Sequence, residues 1–169
     1  MHRISITGPE SSGKTSLTKA LAAHYKCPHT VEFSREYLTP RNGSYDQADL
    51  TAILKGQLEL EKKAGKKESP FLFCDSDPLV IWIWSKVKFG EVDPIIDLSW
   101  KEHLYDLYIL VYPDAPWEYD PLRENEYDRD VLYSMYKEKL KMENRPYIIV
   151  RGSEKNRLEQ AIASLNNLV

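Results

Sequence analysis

The sequence predicts an α/β fold in which about five mostly parallel strands form a sheet with helices on both faces and a lid. Strand-like runs alternate with segments of helical periodicity along the 169 residues. A glycine-rich turn follows the first of these strands, and a long polar connection interrupts the second half of the chain. Such alternation is typical of a parallel sheet that is covered on both faces. Because no linker or repeat breaks the pattern, residues 1–169 are expected to form one domain.

Five short runs have the pattern of strands, and the first shows it most clearly because its isoleucines are two positions apart. The runs are Arg3–Thr7, Thr30–Phe33, Pro70–Cys74, Leu107–Tyr112 and Tyr147–Arg151. The carboxyl ends of parallel strands meet at one edge of a sheet. The loops that follow these runs are therefore expected to line the functional site.

Helices are predicted in the intervals between the strands. Ser16–Tyr25 repeats apolar residues with helical spacing. Asp46 can cap a second helix, and Pro78 after Asp77 begins a third that ends near Gly90.

Two further helices are predicted in the last third of the chain. The segment 127–144 carries Val131, Met135 and Leu140 near one face. Ser153 can cap the last helix, whose apolar residues recur at helical spacing.

Composition excludes several classes of protein. The net charge of −3 speaks against a nucleic-acid partner, and Glu59–Glu68, which carries both signs, is interpreted as a solvated helix end. No apolar run reaches the roughly eighteen residues of a membrane span. Cys27 and Cys74 are far apart without a metal-binding spacing. Because Met1 leads almost directly into the first strand, no signal peptide is expected, and a reducing cytoplasm fits best.

A complete phosphate-binding motif, G-x-x-x-x-G-K-[ST], stands between the first strand and the first helix. Its turn directs backbone N–H groups inward, and the helix N-terminus adds the positive end of its dipole. In this frame Lys14 would reach the β- and γ-phosphates, and the Thr15 hydroxyl would hold Mg²⁺. An ordinary glycine-containing turn is the alternative, but all four fixed positions are present. The sequence therefore predicts ATP and Mg²⁺ as cofactors. The predicted nucleotide-binding residues are Gly8, Glu10, Ser11, Ser12, Gly13, Lys14, Thr15 and Ser16.

Carboxylates follow the third strand, where a kinase needs them. Asp75 comes directly after that strand and is predicted to hold Mg²⁺ together with Thr15. Asp77 is a candidate substrate-binding residue, but a capping role at the start of a helix is an equal alternative.

The end of the second strand is too polar for a core and is assigned to the acceptor side. Glu32 is the preferred catalytic carboxylate, which would accept the proton of the acceptor hydroxyl. Arg35 can offer a fork of donors, and Glu36 and Tyr37 complete the predicted substrate-binding cluster. The alternative is a solvated helix start.

The long connection after the fourth strand is interpreted as a lid. Arg123 and Arg129 could close over the γ-phosphate and neutralise charge during transfer, or could be surface ion-pair partners. Near the last strand, Arg151 and Gly152 are predicted to form the edge of the adenine site.

Two tryptophans on one predicted helix point to different sides, since residues two apart in a helix do not share a face. Trp82 and Trp84 are candidate substrate-binding residues for a flat cationic ring, with simple packing as the alternative.

Taken in order, these segments resemble the ribosylnicotinamide kinase domain family, the kinase half of bifunctional NAD-salvage proteins. The phosphate loop is shared by many families, whereas the spaced pair Glu-x-x-Arg-Glu-Tyr and Asp-Ser-Asp-Pro-Leu is more specific. The resemblance covers nearly the whole chain and is carried by Gly8–Leu17, Glu32–Leu38, Asp75–Leu79, Trp84, Phe89–Gly90, Tyr105–Tyr108, Trp117, Leu122–Arg123, Arg129, Pro146–Tyr147 and Arg151–Gly152.

The resemblance implies a kinase that uses ATP and Mg²⁺ to phosphorylate the 5′-hydroxyl of nicotinamide riboside, giving nicotinamide mononucleotide in NAD salvage. Because the chain begins at the first kinase strand, a stand-alone kinase without adenylyltransferase activity is expected. The alternatives are a kinase of another small nucleoside or nucleoside monophosphate, and a nucleotide-binding regulatory ATPase module. The sequence does not decide whether the protein forms a homo-oligomer.

Overall fold

Five parallel strands form the centre of the fold. The computed structural model describes residues 1–168. The strands run in the spatial order β2-β3-β1-β4-β5, and every pairing is parallel, as the sequence predicts. They are β1 (His2–Thr7), β2 (His29–Thr30), β3 (Phe71–Asp75), β4 (Leu107–Val111) and β5 (Tyr147–Val150).

Helices cover both faces of this sheet, which confirms the predicted fold class. They are α1 (Lys14–Tyr25), α2 (Phe33–Leu38), α3 (Gln47–Ala64), α4 (Pro78–Phe89), α5 (Pro94–Glu102), α6 (Arg129–Met142) and α7 (Glu154–Leu165), with a short 3₁₀ turn at Thr39–Arg41. Within residues 1–168, no helix is both long and apolar enough to cross a membrane.

Side chains of alternate strand residues pack into two separate hydrophobic cores, one on each face of the sheet. Ile4 and Ile6 of β1 pack with α1 and α7 on one face, whereas Leu72 and Cys74 of β3 pack with α4, α5 and α6 on the other. A third cluster joins α2, α3, α4 and α5 beside the sheet. The strand period of two explains this division, since successive side chains point to opposite faces.

The second strand is shorter than the sequence predicts, because the chain leaves the sheet after Thr30 and turns into α2. Glu32 occupies the N-cap position of α2, and the backbone N–H of Phe33 donates to the Oε1 atom of Gln57 (2.9 Å) rather than to a strand. The predicted strand Thr30–Phe33 is therefore wrong beyond Thr30.

Two further expectations about helices are wrong in detail. Val131 is 62% exposed, because the buried face of α6 is formed instead by Leu132, Tyr133, Tyr136 and Leu140. Glu61 lies in the segment interpreted as a solvated helix end, but it is fully buried. Its carboxylate accepts from Arg3, Tyr105 and the ring of His103 at 2.7–3.1 Å, and these partners compensate for its burial.

Helix α3 contains a glycine at the point where α2 packs against it. The Phe33 ring lies directly over Gly56, so closely that a Cβ atom at this position would overlap the ring. This glycine lets Phe33 sit flat on α3, and it thereby fixes the start of α2 next to Glu32.

We expect Gly56→Ala to destabilise the protein by about 1–3 kcal/mol, because the new methyl group must displace the ring. In an unobstructed helix the same change stabilises by about 1 kcal/mol. Urea unfolding measures the difference, with Lys55→Ala as the control on the exposed face of the same helix. A stabilised Gly56→Ala variant would contradict this packing.

Candidate active site

A cleft of about 1010 Å³ opens at the carboxyl ends of the strands. The phosphate-binding motif forms its floor, the β4–α6 connection forms one wall, and α2 with α4 forms the other. The position agrees with the rule that ligands of parallel sheets bind beyond the strand carboxyl ends. All eight predicted nucleotide-binding residues of the loop line this cleft.

The glycines of the phosphate loop are required by the backbone and by its neighbours. Gly8 has a φ of +137°, and a Cβ atom there would lie 2.9 Å from the carbonyl oxygen of Val111 at the end of β4. Gly13 has a φ of +91° and abuts the Arg157 guanidinium. A side chain at either position would strain the backbone and collide.

Lys14 is held at the mouth of the loop. Its Nζ atom donates to the carbonyl oxygens of Gly8 (2.9 Å) and Pro9 (2.7 Å). The ammonium therefore lies across the loop, where a phosphate group would meet it.

Asp75, which is buried behind the lining of the cleft, contacts Thr15 on its floor. Thr15 Oγ1 donates to Asp75 Oδ2 at 2.6 Å. Burial and the nearby charge of Glu32 raise the pKa of Asp75 to about 6, although the bond from Thr15 opposes this. The other oxygen of Asp75, Oδ1, is buried without a hydrogen-bond partner.

These donors fit Mg²⁺. Among residues 1–168 no cluster of three or more His, Cys, Asp or Glu side chains could hold a metal. Mg²⁺ does not need such a cluster, because it keeps several waters and uses one or two carboxylates plus substrate phosphates. A buried carboxylate oxygen without a partner, beside a hydroxyl, is suited to this kind of site.

Glu32 stands on the opposite wall and is oriented by its own segment. Ser34 Oγ donates to Glu32 Oε1 at 2.7 Å. Gln57, which sequence reasoning missed, is buried in α3 and joins the two carboxylate segments. Its Oε1 accepts from the Phe33 N–H, and its Nε2 donates to the Asp75 carbonyl oxygen at 3.3 Å. A glutamine in the apolar stripe of α3 was the signal that could have revealed it.

The other residues that were predicted to cluster with Glu32 lie in different surroundings. Arg35 lines the cleft and pairs with Asp120 of the lid at 2.7 Å. Glu36 is exposed outside the cleft lining, and the Tyr37 hydroxyl donates to Asp49 at 2.7 Å. This placement corrects the prediction that Glu36 and Tyr37 contact the acceptor, because the short α2 turns them away from the cleft.

Asp77 is likewise outside the cleft lining. One of its oxygens accepts from the Val80 N–H at 2.9 Å and caps α4, and the other accepts from the Ser5 hydroxyl. Burial raises the pKa of Asp77 to about 6. The capping alternative therefore accounts for this residue, and its assignment to substrate binding is corrected.

The two tryptophans of α4 point to different surroundings, as their spacing predicts. Trp84 lines the cleft, and its indole N–H donates to the Tyr45 hydroxyl at 2.8 Å. The Trp82 indole donates to Asp97 of α5 at 2.9 Å, outside the cleft, and Lys139 Nζ lies 4.3 Å from its ring centroid. The packing alternative accounts for Trp82, which is removed from the acceptor site.

The predicted lid lies against the phosphate loop. Glu10 Oε2 accepts from the backbone N–H groups of Glu124 and Asn125, both at 3.0 Å. Arg123 lines the cleft, and Arg129 donates to the Ser11 carbonyl oxygen at 3.1 Å from outside the lining.

Both lid arginines lie near one aromatic ring. The Cζ atoms of Arg123 and Arg129 are 6.0 and 5.7 Å from the ring centroid of Trp117. Trp117 thus holds the two guanidinium groups together above the loop. Arg129 is placed to organise the loop, whereas Arg123 can face a phosphate group.

The base side of the cleft is formed differently from the prediction. Gly152 lines the cleft, but the Arg151 guanidinium lies over the ring of Tyr112 at 4.7 Å, outside the lining. Arg157, which the sequence did not single out, is buried at this side and lines the cleft. The prediction for Arg151 is corrected because its side chain stacks away from the cleft.

The protein-family model described as AAA domain matches residues 3–157 of this chain. The chain belongs to the AAA domain family. Similar curated proteins include the Trifunctional NAD biosynthesis/regulator protein NadR of Salmonella typhimurium (strain LT2) and of Escherichia coli (strain K12). They are 27% and 28% identical over 157 residues. The match covers 89% of this AAA domain chain but only 38% of each relative. The predicted resemblance is thus confirmed as homology.

Solved structures show the same fold. This AAA domain chain is similar to a crystal structure of NadR protein in complex with NAD and AMP-PNP, with a TM-score of 0.83, 19% identity, and coverage of 98% of this chain and 49% of that one. For NadR protein in complex with NR the TM-score is 0.81, with 18% identity and coverage of 98% and 51%. Deoxyadenosine kinase from M. mycoides gives a TM-score of 0.68, with 17% identity and coverage of 98% and 99%. At these identities the likeness shows a shared fold.

The raised pKa of Asp75 predicts a pH-dependent gain of stability in Asp75→Asn, measured without metal. Between about pH 4 and 6 the folded protein keeps a proton on Asp75 that the unfolded chain loses, so the wild type loses stability as the pH rises. The variant avoids this loss. We expect it to be about 3 kcal/mol more stable at pH 7.5 and equal to the wild type near pH 3.5.

Asp97→Asn is a control of opposite sign, because bonds from Lys101 and Trp82 lower the pKa of Asp97. This control should be less stable than the wild type at neutral pH. Urea unfolding in EDTA from pH 3.5 to 8 measures both variants. An Asp75→Asn variant without a pH-dependent advantage would contradict the burial of a charged carboxylate.

Proposed function

We propose that this protein transfers the γ-phosphate of ATP, with Mg²⁺, to the 5′-hydroxyl of nicotinamide riboside, giving nicotinamide mononucleotide and ADP. The observation that carries the proposal is that Lys14, Thr15 and Glu32 line one cleft, with Asp75 bonded to Thr15 directly behind the lining. A pure binding module would need the phosphate loop but not a carboxylate on the opposite wall. Residues 1–169 would act as one kinase domain.

The charges at the acceptor end favour a neutral or cationic nucleoside over a nucleoside monophosphate. Arg35 pairs with Asp120 at 2.7 Å, and Lys88 pairs with Glu124 at 2.9 Å. A phosphorylated acceptor would have to compete with these carboxylates for its cations. The Trp84 face instead suits a flat cationic ring, since cation–π attraction is strongest over tryptophan. The similar NadR structure in complex with NR, read as nicotinamide riboside, supports the same acceptor.

The mechanism is an in-line displacement. The acceptor oxygen forms a bond to the γ-phosphorus while the bond from this phosphorus to the bridging oxygen of ADP breaks. The hydroxyl proton passes to Glu32, and the loop amides, Lys14 and Arg123 stabilise the charge on the transferring group. Bound Mg²⁺, held by Thr15 and Asp75, would supply further neutralisation of the phosphates.

A kinase of another neutral nucleoside is the second candidate. The similarity to deoxyadenosine kinase over nearly the full length of both chains favours it. A panel of nucleosides with Mg-ATP separates the candidates by the phosphorylated product. Consumption of deoxyadenosine with nicotinamide riboside untouched would overturn the specific proposal.

Cys27 and Cys74 are buried and form no disulfide, which supports a reducing compartment such as the cytoplasm.

Two substitutions should separate chemistry from nucleotide binding. Lys14→Ala is expected to abolish transfer while the chain still folds, because the ammonium bonds to loop carbonyls rather than packing in the core and would contact the phosphates of bound ATP. Glu32→Gln should lower kcat by about 10²–10⁴-fold with little change in ATP affinity. Steady-state kinetics and calorimetry measure the two effects. The matched control is Glu36→Gln, exposed on the same helix, which should keep wild-type rates; full activity in Glu32→Gln would transfer the role to another carboxylate.

Recognition of a cationic ring predicts a different response of the two tryptophans. Trp84→Leu should raise KM for nicotinamide riboside about tenfold, since a cation–π contact in a desolvated site is worth about 1–2 kcal/mol. Trp82→Leu, on the other side of α4, should leave this KM within about twofold. Equal effects of both changes would indicate that they act through the stability of α4 instead.

A further inference from the structure

Arg157 connects three segments around the cleft. It lies in α7 and is 3% exposed. Its Nη1 donates to the Ser12 carbonyl oxygen in the phosphate loop, and its Nη2 donates to the Tyr112 carbonyl oxygen (3.2 Å) and to the Asp114 carboxylate. One side chain thus connects the last helix, the phosphate loop and the segment after β4.

The bond to Ser12 fixes a peptide unit of the phosphate loop. In a planar trans peptide the C=O and the following N–H point in opposite directions. Holding the Ser12 carbonyl toward α7 therefore turns the Gly13 N–H the other way. A Cβ atom at Gly13 would collide with Arg157 Nη1. Because glycine has no Cβ atom, the guanidinium can approach the loop here. The loop glycine and the arginine are complementary in shape.

The bond to Asp114 extends this frame to the base side of the cleft. The other carboxylate oxygen of Asp114 accepts from the Gly152 N–H at 2.7 Å. Partial burial would raise the pKa of Asp114, but the bonds from Gly152 and Arg157 outweigh it and lower that pKa. Because Asp114 neutralises Arg157, the guanidinium adds little attraction for phosphate at a distance. Its contribution is the orientation of the groups that it binds.

We propose that Arg157 is a positioning residue for nucleotide binding. Its forked donors orient the Ser12–Gly13 peptide toward the phosphates, and through Asp114 they hold the Gly152 turn against the base. The inference rests on the nucleotide site of the proposed function but not on the identity of the acceptor.

The test compares Arg157→Gln with a matched arginine elsewhere. Arg145 is also largely buried, and its Nη2 donates to the carbonyl oxygens of Trp100 and Lys101, both at 3.1 Å, outside the cleft. Loss of charge-assisted bonds that orient a binding loop should raise the calorimetric Kd for Mg-ATP about 10–100-fold in Arg157→Gln. Arg145→Gln should bind Mg-ATP like the wild type, even where both variants lose thermal stability.

Kinetic measurements separate positioning from a purely structural role. In Arg157→Gln the KM for ATP should rise in parallel with Kd, whereas the KM for the acceptor should stay within about twofold. Arg157→Lys keeps the charge and one donor direction, and should recover part of the lost affinity. Equal Mg-ATP affinity in Arg157→Gln and the wild type would overturn the inference.

A double variant keeps the inference testable if Arg157→Gln fails to fold. Loss of Arg157 alone leaves Asp114 unpaired, whereas Arg157→Gln with Asp114→Asn removes both charges and leaves two amides that can bond. This double variant should fold and bind Mg-ATP as weakly as Arg157→Gln. Wild-type affinity in the double variant would show that an unpaired Asp114 caused the loss, and would overturn the role of the fork. A wild-type protein that binds no Mg-ATP would instead refute the nucleotide site itself.

Discussion

The site depends on the orientation of the peptide groups between β1 and α1. A loop that turns its N–H groups toward phosphate must turn carbonyl oxygens elsewhere, and a carbonyl removed from water needs a donor. The chain supplies these donors both from the loop itself and from distant segments. Lys14 and the Ser12 hydroxyl satisfy carbonyls within the loop, Arg129 reaches Ser11 from the lid, and Arg157 reaches Ser12 from the last helix. The anion site is therefore a property of the whole fold, although eight consecutive residues encode its motif.

Within residues 1–168 the fold buries three carboxylates, although burial of a charge opposes stability. The hydrogen-bond partners around each carboxylate distinguish their roles. Glu61 has three donors around it, and Asp77 is bound by Ser5 and the start of α4, so both contribute to the structure. Asp75 keeps one oxygen without a partner beside Thr15. An unsatisfied buried oxygen opposes stability, and such a defect is typical of a group that is completed by a ligand.

The lid illustrates how neutralised charge can set selectivity. Arg35 and Lys88 would attract a second phosphate if they were free, but Asp120 and Glu124 of the lid pair with them. The lid thus pairs with the cations that an anionic acceptor would need. Glu32 and Trp84 also line the cleft, and a carboxylate and an aromatic ring fit the proposed nucleoside.

The local sequence pattern predicted the strands apart from the end of β2, the phosphate loop, the meeting of Thr15 with Asp75, and the caps at Asp46, Asp77 and Ser153. The directions of the side chains around the cleft became known only from the folded chain. Glu36, Tyr37, Trp82 and Arg151 turn away from the cleft, whereas Gln57 and Arg157 enter the site from helices far along the chain. The physical reason is that hydrogen bonds of buried polar groups are completed between segments that meet only after folding, and no periodicity along the chain records those partners.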